Sequence, residues 1–197
     1  VCIKPQGIVS QSDDKAESMI NILQDYTGGT VYPLHRLDRE VGGVMVYAKS
    51  YFAAAVLSKD IAEHKLKKEY MALVHGKPET DKGEMRDLLF KDSRKNKSYV
   101  VKRMRKGVKE ALLEYEVLES KDGLSLVKVL LHTGRTHQIR VQFASRKMSL
   151  VGDRKYGADD DFKNICLWSY KITFNHPKTK ESLSFQKTPD NFMTEYM

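Results

Sequence analysis

A carboxylate flanked by cations is the first candidate for chemistry in this sequence. Asp38 closes the tetrapeptide H-R-L-D, which begins at His35 and is followed directly by Arg39. Neighbouring cations lower the pKa of a carboxylate and keep it ionised, as a nucleophile or a general base requires. The same residues also suit an ordinary surface ion pair of Asp38 with Arg36 or Arg39, and the local sequence by itself favours that simpler interpretation.

A second polar cluster lies in the segment G-R-T-H-Q-I-R. Arg135, His137, Gln138 and Arg140 crowd the first turns of a predicted helix. A helix N-terminus attracts anions, so arginines there indicate an external anion or a carboxylate that binds them. A nucleic-acid phosphate or Asp38 would serve, and a solvated helix start is an equally good alternative.

The third candidate is Tyr70, which opens an otherwise apolar strand in the segment K-E-Y-M-A-L-V-H-G. Taken alone it is best explained as a strand tyrosine with a packed ring and its hydroxyl at the rim.

Other kinds of site find no support in the sequence. The six histidines lack metal-ligand spacing, and there is no phosphate-binding glycine loop and no Ser or Cys nucleophile signature. A metal-dependent nuclease would need clustered carboxylates. We therefore expect neither a metal nor a cofactor. Gly152-Asp153 is interpreted as a structural turn in which Asp153 binds backbone amides.

The composition indicates a polyanionic partner. The chain has 197 residues, a net charge of +8 and a pI near 9.3. Nucleic acid is the first candidate partner, an acidic membrane surface is the second, and a merely basic soluble protein is the alternative. Two isolated cysteines indicate a reducing, cytoplasmic location, and no apolar run is long enough to span a membrane.

The pattern of apolar residues predicts an α+β fold with a largely antiparallel mixed sheet flanked by helices. We expect one domain over residues 1–197. Ser12 or Asp13 is expected to cap the first helix, Thr136 to cap the last, and Gly42-Gly43 to turn the chain tightly into a strand. The predicted elements are strands at 1–4, 44–48, 69–75, 111–117, 124–131, 167–174 and 182–185, helices at 16–27, 51–68 and from 136, and a basic hairpin or long loop within 79–109.

The three polar segments, in this order, closely resemble the RluA family of RNA pseudouridine synthases. The family pattern H-R-L-D-x-x-T-S-G-L-x-x-x-A-K stands here as H-R-L-D-R-E-V-G-G-V-M-V-Y-A-K. The patterns K-x-Y-x-A-x-V-x-G and T-G-R-x-H-Q-I-R-V-H-x-A-x-x-G-x-P-I-x-G-D-x-x-Y-G match residues 68–76 and 133–157. The opening V-C-I-K-P-Q-G is similar to the family's early V-x-x-K-P-x-G, so the resemblance covers essentially the whole chain.

The resemblance implies a fold built around a central RNA-binding cleft and assigns roles to single residues. Asp38 would be the catalytic aspartate, Tyr70 would pack on the target base and take part in proton abstraction, and Arg140 would be the basic partner of Asp38. The basic stretch at about 83–106 falls where the family carries a mobile loop that grips RNA. The RNA-binding residues expected from these considerations are His35, Arg36, Arg39, Arg94, Lys95, Lys97, Arg103, Arg135, His137 and Gln138.

The sequence departs from the family pattern at three places. Val41-Gly42 replace the usual Thr-Ser, which removes a local hydrogen bond and gives the loop more freedom. Gln142 replaces a His, and residues 145–150 replace a Gly-x-Pro-Ile turn. The S4-type domain that many relatives carry in front is not seen, and we expect residues to be missing ahead of Val1.

The expected reaction is the isomerisation of a specific uridine in RNA to pseudouridine by a monomeric enzyme that needs no cofactor. Ribosomal RNA is the first candidate substrate and transfer RNA the second. A non-catalytic RNA-binding or ribosome-assembly protein on the same fold is the alternative. The joint presence of Asp38, Tyr70 and Arg140 argues against that alternative, because a pure binder does not need all three.

Overall fold

The computed structural model describes residues 1–11 and 17–189, which fold into two compact units. The first unit comprises 1–68 with 168–189, and the second comprises 69–167. In chain order the elements are β1 (Cys2–Lys4), α1 (Met19–Thr27), β2 (Tyr32–Pro33), β3 (Gly42–Met45), β4 (Tyr47–Ala48), α2 (Tyr51–Ala62), β5 (Lys67–His75), β6 (Lys82–Asp92), β7 (Lys97–Val101), β8 (Val108–Lys121), β9 (Leu124–Leu131), α3 (Gln138–Ala144), β10 (Leu167–Asn175) and β11 (Ser182–Gln186).

The first helix starts later than its sequence pattern suggests. Ser18 is the N-cap of α1, and its hydroxyl accepts a hydrogen bond from the backbone N–H of Asn21. The expected cap at Ser12 or Asp13 is wrong, and those two residues lie outside the described part of the chain. The C-terminus is as predicted, because Gly28 adopts a left-handed conformation with φ 65° and closes the last turn.

Helix α2 is shorter than predicted, ending at Ala62 and not at Lys68. His64 takes a positive φ of 57°, and Leu66 turns inward to join the apolar core of the first unit. Residue 67 already belongs to a strand. Lysines suit a helix, but burying Leu66 outweighs that local preference.

In the first unit β3 lies between β1, its antiparallel neighbour, and β10, which runs parallel to it; β11 then pairs antiparallel with β10. Gly42 and Gly43 are part of β3, so the expectation that they form a tight turn before the strand is wrong. The missing side chains of these glycines let neighbouring groups of β10 lie close to the β3 backbone. A Cβ on Gly43 would lie 2.3 Å from the carbonyl oxygen of Ser169 on β10, and Gly43 has a φ of 122°.

The second unit is built on a sheet with the strand order β5, β9, β8, β6, β7, paired antiparallel throughout these neighbours. Strand β9 has the bounds predicted from the sequence, and its apolar residues on both faces fit its central position between β5 and β8. The basic segment is confirmed as a hairpin, formed by β6 and β7. On its inner side Leu89 packs with Ala111 and Val141 of α3.

Helix α3 has no side-chain cap, so the predicted cap at Thr136 is wrong. His137 precedes the helix in a left-handed conformation with φ 53°. The preceding loop is held instead by the buried amide of Gln138. Its Oε1 accepts from the Arg135 N–H and from the Thr133 hydroxyl, and its Nε2 donates to the Leu112 carbonyl.

Gly43→Ala should destabilise the protein by at least about 3 kcal/mol, because the new methyl meets backbone and the φ is unfavourable for an L-residue. Urea denaturation measures the loss. Gly123→Ala is the control: Gly123 also has a positive φ, of 78°, but nothing lies within 4 Å of its Cβ position. It should lose only about 1 to 2 kcal/mol. Equal losses would contradict the close-approach argument.

Candidate active site

The backbone on both sides of Asp38 is pinned to the N-terminal segment of the first unit. On one side, the buried Ser10 hydroxyl accepts from the Leu37 N–H and donates to the Leu37 carbonyl, at 3.0 and 2.9 Å. On the other side, the Arg39 carbonyl accepts from the Gly7 N–H and from the Lys4 ammonium. Asp38 is itself half-buried, and its carbonyl accepts from the Val41 N–H at 3.0 Å. Its position is therefore fixed by both neighbours.

Lys4 is the unexpected member of this arrangement. Its side chain is fully buried, and its Nζ donates to the carbonyls of Pro5, Ile8 and Arg39 at 2.9, 2.6 and 3.2 Å. Burial lowers the pKa of Lys4 to about 8, while the charges of Asp38 and Glu40 act in the opposite direction. The buried ammonium of Lys4 therefore lies in the field of the Asp38 and Glu40 carboxylates and is held by three backbone carbonyls.

His35 is a neutral structural residue in this unit. Its Nε2 accepts a 3.3 Å hydrogen bond from the Val46 N–H, which leaves any ring proton on the buried Nδ1. Burial lowers the pKa of His35 to about 3, and the nearby Lys68 cation acts in the same direction. Any contact of His35 with RNA would therefore not depend on a positive charge.

The strand that follows Asp38 is packed against an indole ring. A Cβ built on the buried Gly42 would lie 2.4 Å from Cζ3 of Trp168 and 3.1 Å from the Lys4 carbonyl oxygen. The Trp168 Nε1 donates to the Lys187 carbonyl, which fixes the ring. The expectation that Gly42 adds freedom to the loop is therefore wrong. Gly42 makes room for Trp168, where a serine would not fit.

In the second unit, Arg140 is held by a buried carboxylate. Its Nε and Nη2 each donate to Asp153 at 2.7 Å, and both side chains are almost fully shielded from solvent. The expected turn at Gly152-Asp153 is present, but Asp153 binds Arg140 and not the backbone amides that we expected. A bidentate, buried pair fixes the guanidinium plane.

Tyr156 connects this arginine to the basic hairpin. Its hydroxyl accepts from the Ser98 N–H at 2.8 Å and lies 2.9 Å from His137 Nδ1. The guanidinium carbon of Arg140 is 5.3 Å from the ring centroid, and Lys97 Nζ is 4.9 Å from it. One aromatic ring therefore contacts two cations, which is a favourable cation–π arrangement.

The remaining candidates divide by exposure. Arg36, Arg94, Lys95 and Arg103 are exposed, as is Arg39, whose Nε donates to the Gly7 carbonyl. Arg135 and Lys97 are half-buried, and Arg135 Nε donates to the Glu110 carbonyl. His137, Gln138 and Tyr70 are buried, at 7, 3 and 5% exposure. For His137 and Gln138 the contacts seen are internal to the second unit.

Four functional neighbours were missed by sequence reasoning. Lys4 and Tyr156 stood inside quoted motifs, but no local signal shows that their partners are distant backbone groups. Asp153 was assigned the wrong partner. Trp168 lies outside every motif, and only the missing Cβ of Gly42 could have indicated it.

A pinned carboxylate, exposed arginines and a basic hairpin are the features of this chain that fit a protein acting on a polyanion. The family model described as RNA pseudouridylate synthase matches residues 1–145. The chain belongs to this RNA pseudouridylate synthase family, and the resemblance drawn from the motifs is confirmed.

Curated relatives agree with this membership. An uncharacterized RNA pseudouridine synthase of Aquifex aeolicus is 38% identical over 86% of this chain and 57% of its own length. The ribosomal large subunit pseudouridine synthase C of Buchnera aphidicola is 38% identical over 76% of this chain and 50% of its own. The dual-specificity RNA pseudouridine synthase RluA of Pasteurella multocida is 32% identical over 94% and 87%. The chain thus spans about half to three-fifths of the length of the first two of these relatives.

Solved structures confirm the fold. The human RNA pseudouridylate synthase domain containing 4 matches with a TM-score of 0.79 at 20% identity, covering 98% of this chain and 85% of that one. The corresponding human domain containing 1 protein gives 0.77 at 24% identity, covering 96% and 78%. The predicted α+β class is therefore correct. Within 1–11 and 17–189, no helix is both long and apolar enough to cross a membrane.

Gly42→Ser should destabilise the protein by about 1 to 3 kcal/mol through overpacking against Trp168. In a Trp168→Leu background the same change should be clearly less harmful, because the ring that it meets is gone. A double-mutant cycle from urea denaturation measures the coupling, expected to exceed about 1 kcal/mol. Additive effects would show that Trp168 is not what excludes a side chain at position 42.

Asp153→Asn should destabilise the protein by about 3 to 5 kcal/mol, because the buried Arg140 charge loses its counter-charge. Thermal unfolding at neutral pH measures the change. Glu84→Gln is the matched control within the same unit, since its pair with Arg86 is exposed. That change should alter stability by less than about 1 kcal/mol. A small effect of Asp153→Asn would mean that other groups neutralise Arg140.

Proposed function

We propose that this protein isomerises a uridine in RNA to pseudouridine, and that Asp38 is the reacting carboxylate. The observation that carries the proposal is the pinning of Asp38. Leu37 and Arg39, its two neighbours, are tied by Ser10 and by Lys4 and Gly7. An exposed ion pair needs no such support, whereas a group that must meet a reacting atom within a few tenths of an ångström does.

The isomerisation needs no external reagent. The bond between N1 of uracil and C1′ of the ribose breaks, the base rotates, and a bond forms between C5 and C1′. N1 gains one proton and C5 loses one, so the product has the same atoms as the substrate. Asp38 acts either at C1′ or on the uracil ring, and both routes use its carboxylate as a nucleophile or a base.

We assign Tyr70 and Arg140 supporting roles on the basis of the family motifs. Tyr70 would pack on the uracil and take part in removing the C5 proton. Arg140 would supply a positive charge to the reaction, with its guanidinium plane set by Asp153 and Tyr156. The target nucleotide must leave its stack, because a base inside a stack cannot be reached. The exposed Arg36 would contact the RNA near this extruded nucleotide.

Ribosomal RNA is the proposed substrate. The Buchnera relative is named for the large ribosomal subunit, and the Pasteurella relative is named as a dual-specificity enzyme. Transfer RNA remains the second candidate that the family resemblance suggests. We infer that the protein acts in the cytoplasm, where these RNAs are modified in bacteria. All the residues assigned to the reaction lie on one chain, and we propose that a monomer is active.

Asp38→Asn should abolish pseudouridine formation, by at least about 1000-fold in rate, because removing a reacting group removes most of its contribution to transition-state stabilisation. Affinity for RNA should stay within a few-fold, since the carboxylate does not bind phosphate. Carbodiimide mapping of total ribosomal RNA under single-turnover conditions measures the product. Turnover by Asp38→Asn would refute the assignment, and RNA binding by a wild-type protein without any turnover would favour the non-catalytic alternative.

A further inference from the structure

The net charge of the chain is concentrated in one segment of the second unit. Residues 91–109 contain nine lysines and arginines and one aspartate, a net charge of +8. This equals the net charge of the whole chain, so the remaining 178 residues carry 25 cations and 25 anions and are neutral together. Attraction to a polyanion beyond close range therefore arises from this segment.

The hairpin that begins this segment carries an apolar face that the described residues of the second unit cover only in part. In the hairpin of β6 and β7, Phe90 pairs with Tyr99 and Leu88 pairs with Val101, so these four side chains share one face. We call them the outer hairpin face. They are half-buried or exposed, with Tyr99 at 36% exposure.

The opposite face of the hairpin is already used for folding. Leu89 is buried in the core of this unit, Ser98 is buried, and the Ser98 hydroxyl donates to the Thr136 carbonyl at 2.7 Å. The hairpin is thus anchored from one side, which presents the outer hairpin face on a rigid support.

Three flat groups lie next to one another on this face: the Arg105 guanidinium and the rings of Phe90 and Tyr99. The Arg105 guanidinium lies over the Phe90 ring, with its central carbon 5.2 Å from the ring centroid, and Tyr99 is the cross-strand neighbour of Phe90. Lys97 Nζ is 5.9 Å from the Tyr99 centroid. Unpaired bases stack on aromatic rings and on arginine planes, and cations at the edges bind the flanking phosphates.

We propose that the outer hairpin face is a stacking platform for an unpaired base of the RNA substrate. The inference rests on the proposed function and adds to it: the preferred RNA has single-stranded nucleotides next to the target. Duplex RNA offers phosphates to the cations but no free base face to Tyr99. A protein partner fits the face less well, because lysines are depleted from the centres of protein interfaces.

The first test compares two probes, a fluorescein-labelled oligouridylate and a blunt RNA duplex of the same length, by anisotropy. Tyr99→Ala should weaken binding of the oligouridylate about tenfold, the loss expected for one stacked base, and leave duplex binding unchanged. Tyr99→Phe, which keeps the ring, should bind both probes like the wild type. Tyr51→Ala, at an aromatic residue that is 77% exposed in the other unit, is the matched control and should change neither.

The salt dependence of RNA affinity distinguishes the contribution of charge from that of stacking. Arg103→Gln should weaken binding of both probes and reduce the salt slope by about 1, whereas Tyr99→Ala should leave the slope unchanged. Tyr99→Thr is a second ringless variant that keeps a strand-forming residue, and it must reproduce Tyr99→Ala with an unchanged melting curve. In addition, an oligouridylate containing 5-iodouridine should cross-link to the peptide that contains Tyr99.

Equal weakening of both probes by Tyr99→Ala and Tyr99→Thr, or no change in either, would overturn the platform, and the second outcome would favour a protein partner. The proposed function is tested separately by the turnover of the wild type. If the Tyr99 variants lose only single-strand binding and the wild type makes no pseudouridine, the proposed function is refuted and the stacking platform is kept. If the wild type makes pseudouridine and RNA binding does not depend on Tyr99, the platform is refuted and the proposed function is kept.

Discussion

The hydrogen bonds that hold Leu37 and Arg39 are the constraint on which the proposed role of Asp38 depends. A carboxylate in a turn would ordinarily sample several positions, and ordering it at the moment of reaction would add to the barrier. Here the ordering is done during folding. Ser10 uses its hydroxyl as both donor and acceptor, and Lys4 places a cation on the carbonyl that follows Asp38. Three carbonyl acceptors compensate for burying that cation.

The packing that follows Asp38 extends this rigidity along β3. Gly43 and Ser169 bring two backbones into contact, and one residue earlier the Trp168 ring occupies the space where another residue would have a side chain. The loss of Thr-Ser from the family pattern is therefore not a loosening of the loop. In this chain the loop is held by packing, because the Trp168 ring of β10 fills the space beside Gly42.

Elements with local causes were predictable, and those with distant causes were not. Strand β9 was predicted with its correct bounds, because a short apolar run that starts after a turn indicates a strand buried on both faces. The end of α2 was predicted wrongly because Leu66 packs in a core that includes Ile172 and Phe174, which lie far along the chain. In the candidate site, Asp38 and Arg140 could be singled out by the motifs that resemble those of the family, not by residue type alone. The residues that fix them could not be predicted. Lys4 donates to backbone carbonyls, which every residue has, so the sequence carries no signal for these contacts. The sequence around Asp153 is that of an ordinary turn and does not indicate Arg140 as its partner.

The second unit shows why two kinds of positive charge must be distinguished. Arg140 is buried, paired with Asp153 and stacked on Tyr156, so salt hardly screens it and its orientation is fixed. The hairpin cations are mostly exposed, and their action on a polyanion is long-ranged and salt-dependent. Tyr156 contacts members of both groups, because its ring lies near Arg140 and Lys97 and its hydroxyl binds the Ser98 N–H.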